Sequence, residues 1–541
     1  MKAEIPDGTL SALARKNEWL IRRGAGLAQL PFVADFVISV YKNFLMPYLG
    51  TRLTDEEINS LDLVSKEINI PRKVLIETLF QADALMLLIR LSVMKHLLPE
   101  WIPGGLPGCS SAVALKDWTQ SGRLLACRNF DYFVVGPWEK HPTVLFHEPA
   151  ESDQIPFVSL SSAGIHTGGV TSMNREGLTL FTHAHFGRDV SLNGRPIVLI
   201  GDEVIRKSKT IGQAIDIIRK NPRCANWAFV LTSAKENESV VVEMTPNQIH
   251  VRGAEDGFLA HTNYFHNPKF RNREALLCGS YCEDLKGRFC QLRDQLIPHR
   301  GHLQPSHMTE LMGNHMDRFS GVERVFGNTV SVVTTVQSAV FDPGAQKFWM
   351  ACRNESPVGL GEYIEVDVDR LWRTPAEEYE KTMSVMPHYQ PKNPALIEAV
   401  RHYRNAYQCY HTYNHEPDFQ EKALEHIKKA IEVYPSDGHL WLQAGYVLFK
   451  MKKFEEAHFY LEKSKDCVLT DHVASVRDLY LARCLDLLGK RKEALQIYQS
   501  RSEVVEPKLR RAFRRGSRRT YQAWEIFQVQ VDLQFPDTLL Y

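Results

Sequence analysis

The 541 residues carry 65 Lys and Arg against 64 Asp and Glu, a formal net charge of +1, with 44% hydrophobic and 24% charged residues. That balance describes globular material long enough for two or three domains, and nothing in the overall charge calls for nucleic acid as a partner. Ten cysteines without paired spacing, Cys278, Cys282 and Cys290 among them, do not make a zinc site and point to a reducing compartment. The opening MKAEIPDGTL has acids and a proline where a secretory signal has an apolar core, so the expected location is the cytoplasm, with membrane association left open.

Residues 1–107 read as helical, with segments expected at about 31–48, 54–67 and 71–98. Thr54 and Glu57 stand at capping-box spacing. Two stretches, Pro31 to Leu49 and Ala82 to Trp101, are unusually apolar. Asp35 and Lys42 interrupt the first, and Asp83, Arg90 and Lys95 the second, so neither offers the ~20 charge-free residues of a spanning helix. They suit helices buried on a following domain, or a surface that handles acyl chains or meets a bilayer interface. Pro103-Gly-Gly-Leu-Pro-Gly108 then breaks the helical pattern.

Gly108 to Asp131 reads as two short strands around a turn at Gln120-Ser-Gly122, because Val113, Leu115 and then Leu124, Ala126 alternate at the strand period. Such a hairpin returns Cys109 to the side of Arg128 and Asp131. A cysteine attacks as its thiolate, and a guanidinium and a carboxylate beside it set its charge state and orient an amine acting as base. If the Gly108–Cys109 bond is cut, the freed α-amino group, with a reference pKa of about 8, can take the thiol proton itself. Glycine before the nucleophile leaves the scissile carbonyl unshielded.

Strands are expected around Phe157, Gly169-Val170 and Met173 to Leu180, then a helical pair from Arg195-Pro196 to about 220, then strands at Trp227, Glu238–Glu243 and Gln248. This order suits a layered α+β domain. His183 and His185 would share one side of a strand, as two metal ligands must, but no third ligand stands at a defined spacing, and packed or pocket-lining histidine with no metal is the reading taken. His261-Thr-Asn263 closes a further strand. Residues 271–320 read as helical, with Arg271, Arg273, Arg288 and Arg293 and a helix start at Ser280-Tyr281. Asn328 to Phe341 and Lys347 to Cys352 read as two strands joined at Asp342-Pro343-Gly344-Ala345; Arg353 to Thr374 carries no motif.

After a polar stretch the pattern becomes helical throughout. Ala423, Ile427, Ala430 and Pro435 recur 34 residues later as Ala457, Leu461, Ser464 and Leu469, and Leu481, Leu485, Ala494 and Tyr498 fit a third unit. Three such units meet the minimum for a stack. The stack offers a concave surface for a partner peptide or for self-association, or it docks on the preceding domain as added structure. Lys508 to Arg519 holds seven positive charges around Leu509 and Phe513, a pattern that suits anionic lipid or RNA, or a solvated, acid-paired helix face.

Four motifs in order, Gly108-Cys-Ser-Ser111, Arg128-Asn-Phe-Asp131, Met173-Asn-Arg-Glu-Gly-Leu178 and His261-Thr-Asn-Tyr-Phe265, resemble the N-terminal-nucleophile (Ntn) amidohydrolases of the isopenicillin N acyltransferase, choloylglycine hydrolase and acid ceramidase kind. The C-terminal helices resemble tetratricopeptide (TPR) repeats. The resemblance implies an α+β protein: a helical prosegment over 1–108 that stays bound as a small subunit, an αββα sandwich over 109–372, a linker over 373–394, repeats over 395–505 and a basic tail over 506–541. It further implies self-cleavage between Gly108 and Cys109, with Cys109 as nucleophile, Arg128 holding thiolate and substrate, Asp131 holding the amine and Asn263 donating to the oxyanion. Asn174, Tyr264 (where the family usually has histidine), His183 and Arg288 are the implied substrate contacts. No cofactor is implied. The expected substrate is a small linear acyl amide, with a fatty acyl chain suggested by the apolar N-terminal helices. An acyl-CoA-dependent N-acyltransferase would use the same acyl-enzyme, and a non-catalytic repeat scaffold or a lipid-binding protein with peripheral membrane contact is the further alternative.

Overall fold

The computed structural model describes residues 31–84, 86–87, 108–133, 135–149, 151–162, 167–274, 278–374, 384–413 and 416–538. Most of the second apolar stretch, and the Pro103–Pro107 part of the breaker loop, lie outside the described residues.

Helix α1 (Pro31–Val40) runs on through a π turn and a short helix to Gly50, followed by α2 (Asp55–Ile68) and α3 (Arg72–Leu79). The expected capping box is present: Glu57 N–H donates to Thr54 Oγ1 at 3.2 Å and Thr54 N–H to Glu57 Oε2 at 2.7 Å, two donors that the helix itself leaves unpaired. The first apolar stretch is split between two fates. Ile38, Tyr41, Met46 and Leu49 are buried, while Phe36 and Phe44 are about 70% exposed. Further on, Leu75, Leu79, Phe80 and Met86 join the core that also holds Phe130, Tyr132 and Trp138.

Polar contacts fix this segment in place. Tyr132 Oη donates to Gln81 Oε1 at 2.7 Å, and the buried Asp83 carboxyl accepts Ile197 N–H at 3.1 Å and Trp227 Nε1–H at 2.9 Å. Burial pushes the Asp83 carboxyl up to about 7, against the pull of these two hydrogen bonds. A carboxyl whose folded pKa is raised contributes stability that is complete below its unfolded pKa and is lost as pH rises through about 7, a difference of up to ~4 kcal/mol. Once the base-catalysed rise common to all amides is divided out, protection over residues 72–87 is therefore expected to fall between mildly acidic and neutral pH, and Asp83→Asn should remove that fall.

Two antiparallel seven-stranded sheets follow. One has the order β10-β1-β2-β11-β12-β13-β14, from β1 (Gly108–Ala114), β2 (Leu125–Asp131), β10 (Phe258–His261), β11 (Thr335–Asp342), β12 (Lys347–Ala351), β13 (Tyr363–Asp367) and β14 (Val385–Met386). The other runs in chain order through β3 (Pro142–His147), β4 (Phe157–Ser162), β5 (Thr171–Asn174), β6 (Leu178–Ala184), β7 (Trp227–Ser233), β8 (Glu238–Met244) and β9 (Ile249–Gly253). Alternate side chains of each strand face opposite ways. Val113, Leu124 and Ala126 therefore meet Val158, Phe181 and Val230 between the sheets, while Ala112, Leu125 and Cys127 turn outward onto Leu292, Met308 and Leu311. The outer helices are α4 (Ile197–Lys207) and α5 (Ile211–Lys220) on the second sheet, and α6 (Gly279–Asp294) and α7 (Pro305–Met312) on the first. The result is the four-layer α+β sandwich expected.

Three boundaries differ from the sequence reading. The strand expected from Asn328 begins only at Thr335, because Asn328 holds a left-handed conformation (φ 60°) and the Val330 carbonyl is taken by the Asn129 side chain instead of a ladder. Within 271–320, helix is confined mainly to α6 and α7, with turns between. The first sheet also extends past residue 372, since β14 pairs with β13 inside the stretch expected as linker.

The C-terminal helices form consecutive pairs: α8 (Ala395–Tyr407) with α9 (Phe419–Val433), α10 (Gly438–Lys450) with α11 (Phe454–Lys463), and α12 (Asp471–Leu487) with α13 (Arg491–Ser500). Ala423, Ala457 and Ala494 are fully buried at matching places in the second helices. Close approach demands the small residues: a Cβ on Gly445 would stand 2.7 Å from the Leu461 side chain. The face shared by the first helices is filled by the chain's own residues 521–538. Tyr403 Oη donates to Leu533 O, Gln443 Nε2 to Asp532 O and Phe535 O, and Lys450 Nζ to the carbonyls of Ile526, Phe527 and Val529, while Tyr521 N–H donates to Asp486. At its far end this strap reaches α6: Phe535 stacks edge-on with Tyr281, and Asp537 accepts Ser280 N–H at 3.4 Å and pairs with His472 at 2.9 Å.

Candidate active site

The β1–β2 hairpin brings the first two motifs together as expected, with Gly108 opposite Asp131, Cys109 opposite Phe130 and Ser111 opposite Arg128. Odd-numbered residues of β1 face the second sheet, so Cys109 and Ser111 point into the gap between sheets. Cys109 Sγ lies 3.4 Å from Arg128 Nη2 and 3.5 Å from Thr182 O. The guanidinium is fixed across the gap by donating to Thr182 O and Val170 O, both at 2.6 Å. Burial raises the Cys109 thiol above its ordinary range, and the Arg128 charge acts against that rise.

The main chain of Cys109 is held on both sides. Its N–H donates to Asn263 Oδ1 at 2.7 Å, and its carbonyl accepts from Arg288 Nη1 at 2.9 Å. Arg288 also donates to Ser110 Oγ at 2.9 Å and is anchored by Asp284, one helical turn earlier on α6, at 2.8 Å. Asp284 in turn accepts Asn328 N–H at 3.2 Å.

Asp131 is fully buried. Thr335 Oγ1 donates to its Oδ1 at 2.6 Å, while Oδ2 has no hydrogen-bond partner among the described residues. That second oxygen faces Gly108, for a Cβ there would stand 3.0 Å from it. Burial pushes the Asp131 carboxyl up to about 6, opposed by the Arg288 charge and the Thr335 hydrogen bond.

Of the residues singled out from the sequence, Gly108, Cys109, Arg128, Asp131, Asn263 and Arg288 converge here. The amide oxygen of Asn263 faces the nucleophile's N–H while its Nδ2 donates to Ala184 O at 3.0 Å, so an oxyanion role asks that N–H to leave Ala184. Arg288 has its donors engaged by protein groups rather than turned toward open space. His183 accepts or donates at 2.8 Å with Ser111 Oγ, one alternate position along β1 from the nucleophile. Tyr264 stacks on His266 beside Phe289. Asn174 does not join the group: it closes the β5–β6 turn through Ile205 O, Ser208 O and the N–H groups of Glu176 and Leu178.

Sequence reasoning missed Thr335, Asp284 and the Thr182 carbonyl. Asp284 was accessible from its i,i+4 spacing to Arg288; Thr335, 204 residues from Asp131, left no local signal. Burial also keeps His183, His185, His261 and His266 neutral, His185 and His266 down to about 3. Among the described residues no three His, Cys, Asp or Glu side chains group as a metal would require.

Residues 118–357 match the family model of acyl-coenzyme A:6-aminopenicillanic acid acyl-transferase. The acyl-transferase match takes in Arg128, Asp131, Asn174, Asn263 and Arg288, and begins nine residues after Cys109. The protein dcd1B of Dictyostelium discoideum is 23% identical over 241 residues, 42% of this chain and 47% of its own, so the chain spans about half the length of that curated relative. Among solved structures, the Caenorhabditis elegans N-acylethanolamine-hydrolyzing acid amidase ortholog is similar at 18% identity and a TM-score of 0.31, over 44% of this chain and 93% of that one. A mutant of the conjugated bile acid hydrolase from Clostridium perfringens follows at 11% identity and a TM-score of 0.30, over 52% of this chain and 98% of that one.

Proposed function

We propose that this chain is a self-processing cysteine Ntn amidohydrolase acting on a small linear acyl amide. The observation that carries the reading is the placement of Cys109: thiol on the Arg128 guanidinium, main-chain N–H on Asn263, carbonyl on Arg288, and Gly108 facing the open oxygen of Asp131. The thiolate attacks the Gly108 carbonyl carbon, the peptide C–N bond breaks, and the departing nitrogen takes a proton to become the α-amino group of Cys109. Water then hydrolyses the thioester, releasing the Gly108 carboxylate and the thiol.

In turnover the free amine takes the thiol proton as Sγ attacks the substrate carbonyl, and returns it to the leaving amine. Asn263 Oδ1 and Asp131 Oδ2 would hold that amine, and Arg128 would steady the thiolate. Intact mass under denaturing conditions, before and after thiol alkylation, tests the first step: chains ending at Gly108 and beginning at Cys109 support it. A single uncut chain that also fails to release acid from any acyl amide sinks it.

Asp131 serves this scheme as a carboxylate that holds the freed amine, so substrate turnover by the cut protein should speed up as pH rises through about 6. Thr335→Val removes the hydroxyl that favours the ionised form and should move that midpoint upward by about one unit. An unchanged pH profile would separate Asp131 from the rate.

The acyl-transferase match favours one second reading, in which an amine rather than water takes the acyl group, delivered from an acyl-CoA. Incubating mature protein with a fatty acyl-CoA and separating free acid from N-acyl product distinguishes the two.

A further inference from the structure

Helix α14 (Pro507–Arg518) buries Leu509, Phe513 and Gly516 and turns Arg511, Arg514 and Arg518 outward. Spacings of three and four put these three on one line of the helix, about 10 Å long. Arg514 pairs with the exposed Glu503 at 3.3 Å, and Arg515 and Arg519 pair with the buried Glu525. Arg511 and Arg518 have no ion-pair partner among the described residues. The grip on Glu525 ties the turn Ala523–Gln528 to the C-terminal part of the helix, and that turn leaves Trp524 60% and Phe527 49% exposed. Ahead of the helix Val505 is 86% exposed. Exposed cations and exposed apolar side chains thus occur together on α14 and on the segments that precede and follow it.

We propose that this face is a peripheral docking surface for a bilayer that carries anionic lipid. Charge complementarity supplies the attraction, and an exposed Trp and Phe beside the cations fit the boundary between head groups and acyl chains. The helix does not roll over to insert its apolar side, because that side is locked: a Cβ on Gly516 would stand 2.3 Å from the Tyr498 ring. Docking is therefore shallow, electrostatic and salt-sensitive. A nucleic acid would favour a longer cationic track and a basic chain, whereas the free cations here end within two helical turns and the whole chain carries a net charge of only +1.

The test is flotation of the full chain with phosphatidylcholine vesicles made with and without phosphatidylserine, at low and at physiological salt. Binding is expected only with phosphatidylserine, falling as salt rises. The pair Arg511→Glu/Arg518→Glu should weaken it at least about tenfold, and Trp524→Ser/Phe527→Ser severalfold with the salt dependence kept. All four positions are exposed, so an unchanged melting curve checks that the variants fold. Equal flotation with both vesicles, or binding indifferent to the arginine pair, overturns the proposal. So does retention of single-stranded RNA without vesicle binding, which would assign the face to nucleic acid.

Discussion

Cys109→Ala is expected to leave one uncut chain and to lower acyl turnover by at least about 10 000-fold, since no other group at the site can form the acyl-enzyme. The buried thiol sits between Arg128 and the Thr182 carbonyl, and the neighbouring hydroxyls of Ser110 and Ser111 are committed to Arg288 and His183. Removing one sulfur from a buried site leaves the sandwich intact, so the variant should melt within a few degrees of the parent. Mass spectrometry reads the cut and product release reads the turnover. Loss of turnover with the cut preserved would mean that a protease, not Cys109, separates the two chains.

The second large effect falls on stability. Arg324 and Asp437 are both wholly buried and joined at 3.1 Å, with Arg324 also on Asp317 at 3.0 Å and Asp437 accepting Val325 N–H at 2.7 Å. Truncating either partner strands a buried charge, which costs roughly 3–5 kcal/mol. Arg324→Ala and Asp437→Ala should each lower the melting temperature by several degrees, and the double variant should lose less than the sum of the two while still leaving the buried Asp317 without its cation. Equal and additive losses would show that the two residues do not act as a pair. Because the loop that follows Arg324 places Asn328 N–H on Asp284, and Asp284 anchors Arg288, the single variants should also loosen the hold on the Cys109 carbonyl.

Local pattern made the hairpin, the capping box and the helix pair after Arg195 legible, because each depends on residues within a few positions of one another. The convergence of Cys109 with Arg128 and Asp131 followed from a single turn. Asn263 and Arg288 were placed through motif resemblance, but which of their atoms faces Cys109 depends on the packing of β10 and α6, which no periodicity encodes. Asn174 reads like a site residue in its motif and is a turn closure in space, for its oxygen accepts two N–H groups of the β5–β6 corner and its nitrogen donates to the Ile205 and Ser208 carbonyls at the end of α4. Thr335 lay beyond reach, since it meets Asp131 only when β11 pairs with β2 across 204 residues of chain. The repeat spacing predicted the helical stack, while its occupation by residues 521–538 could not be foreseen from an unremarkable polar and aromatic segment.

That strap sets an order of events during synthesis. Residues 279–294, which carry Asp284 and Arg288, leave the ribosome long before the segment that Phe535 and Asp537 bring to rest against the start of the same helix. A nascent chain exposing only its first half lacks this last support for the groups that grip Cys109. The contacts that hold the Cys109 main chain through Arg288 are thus braced in full only once residues more than 400 positions further along the chain have been made.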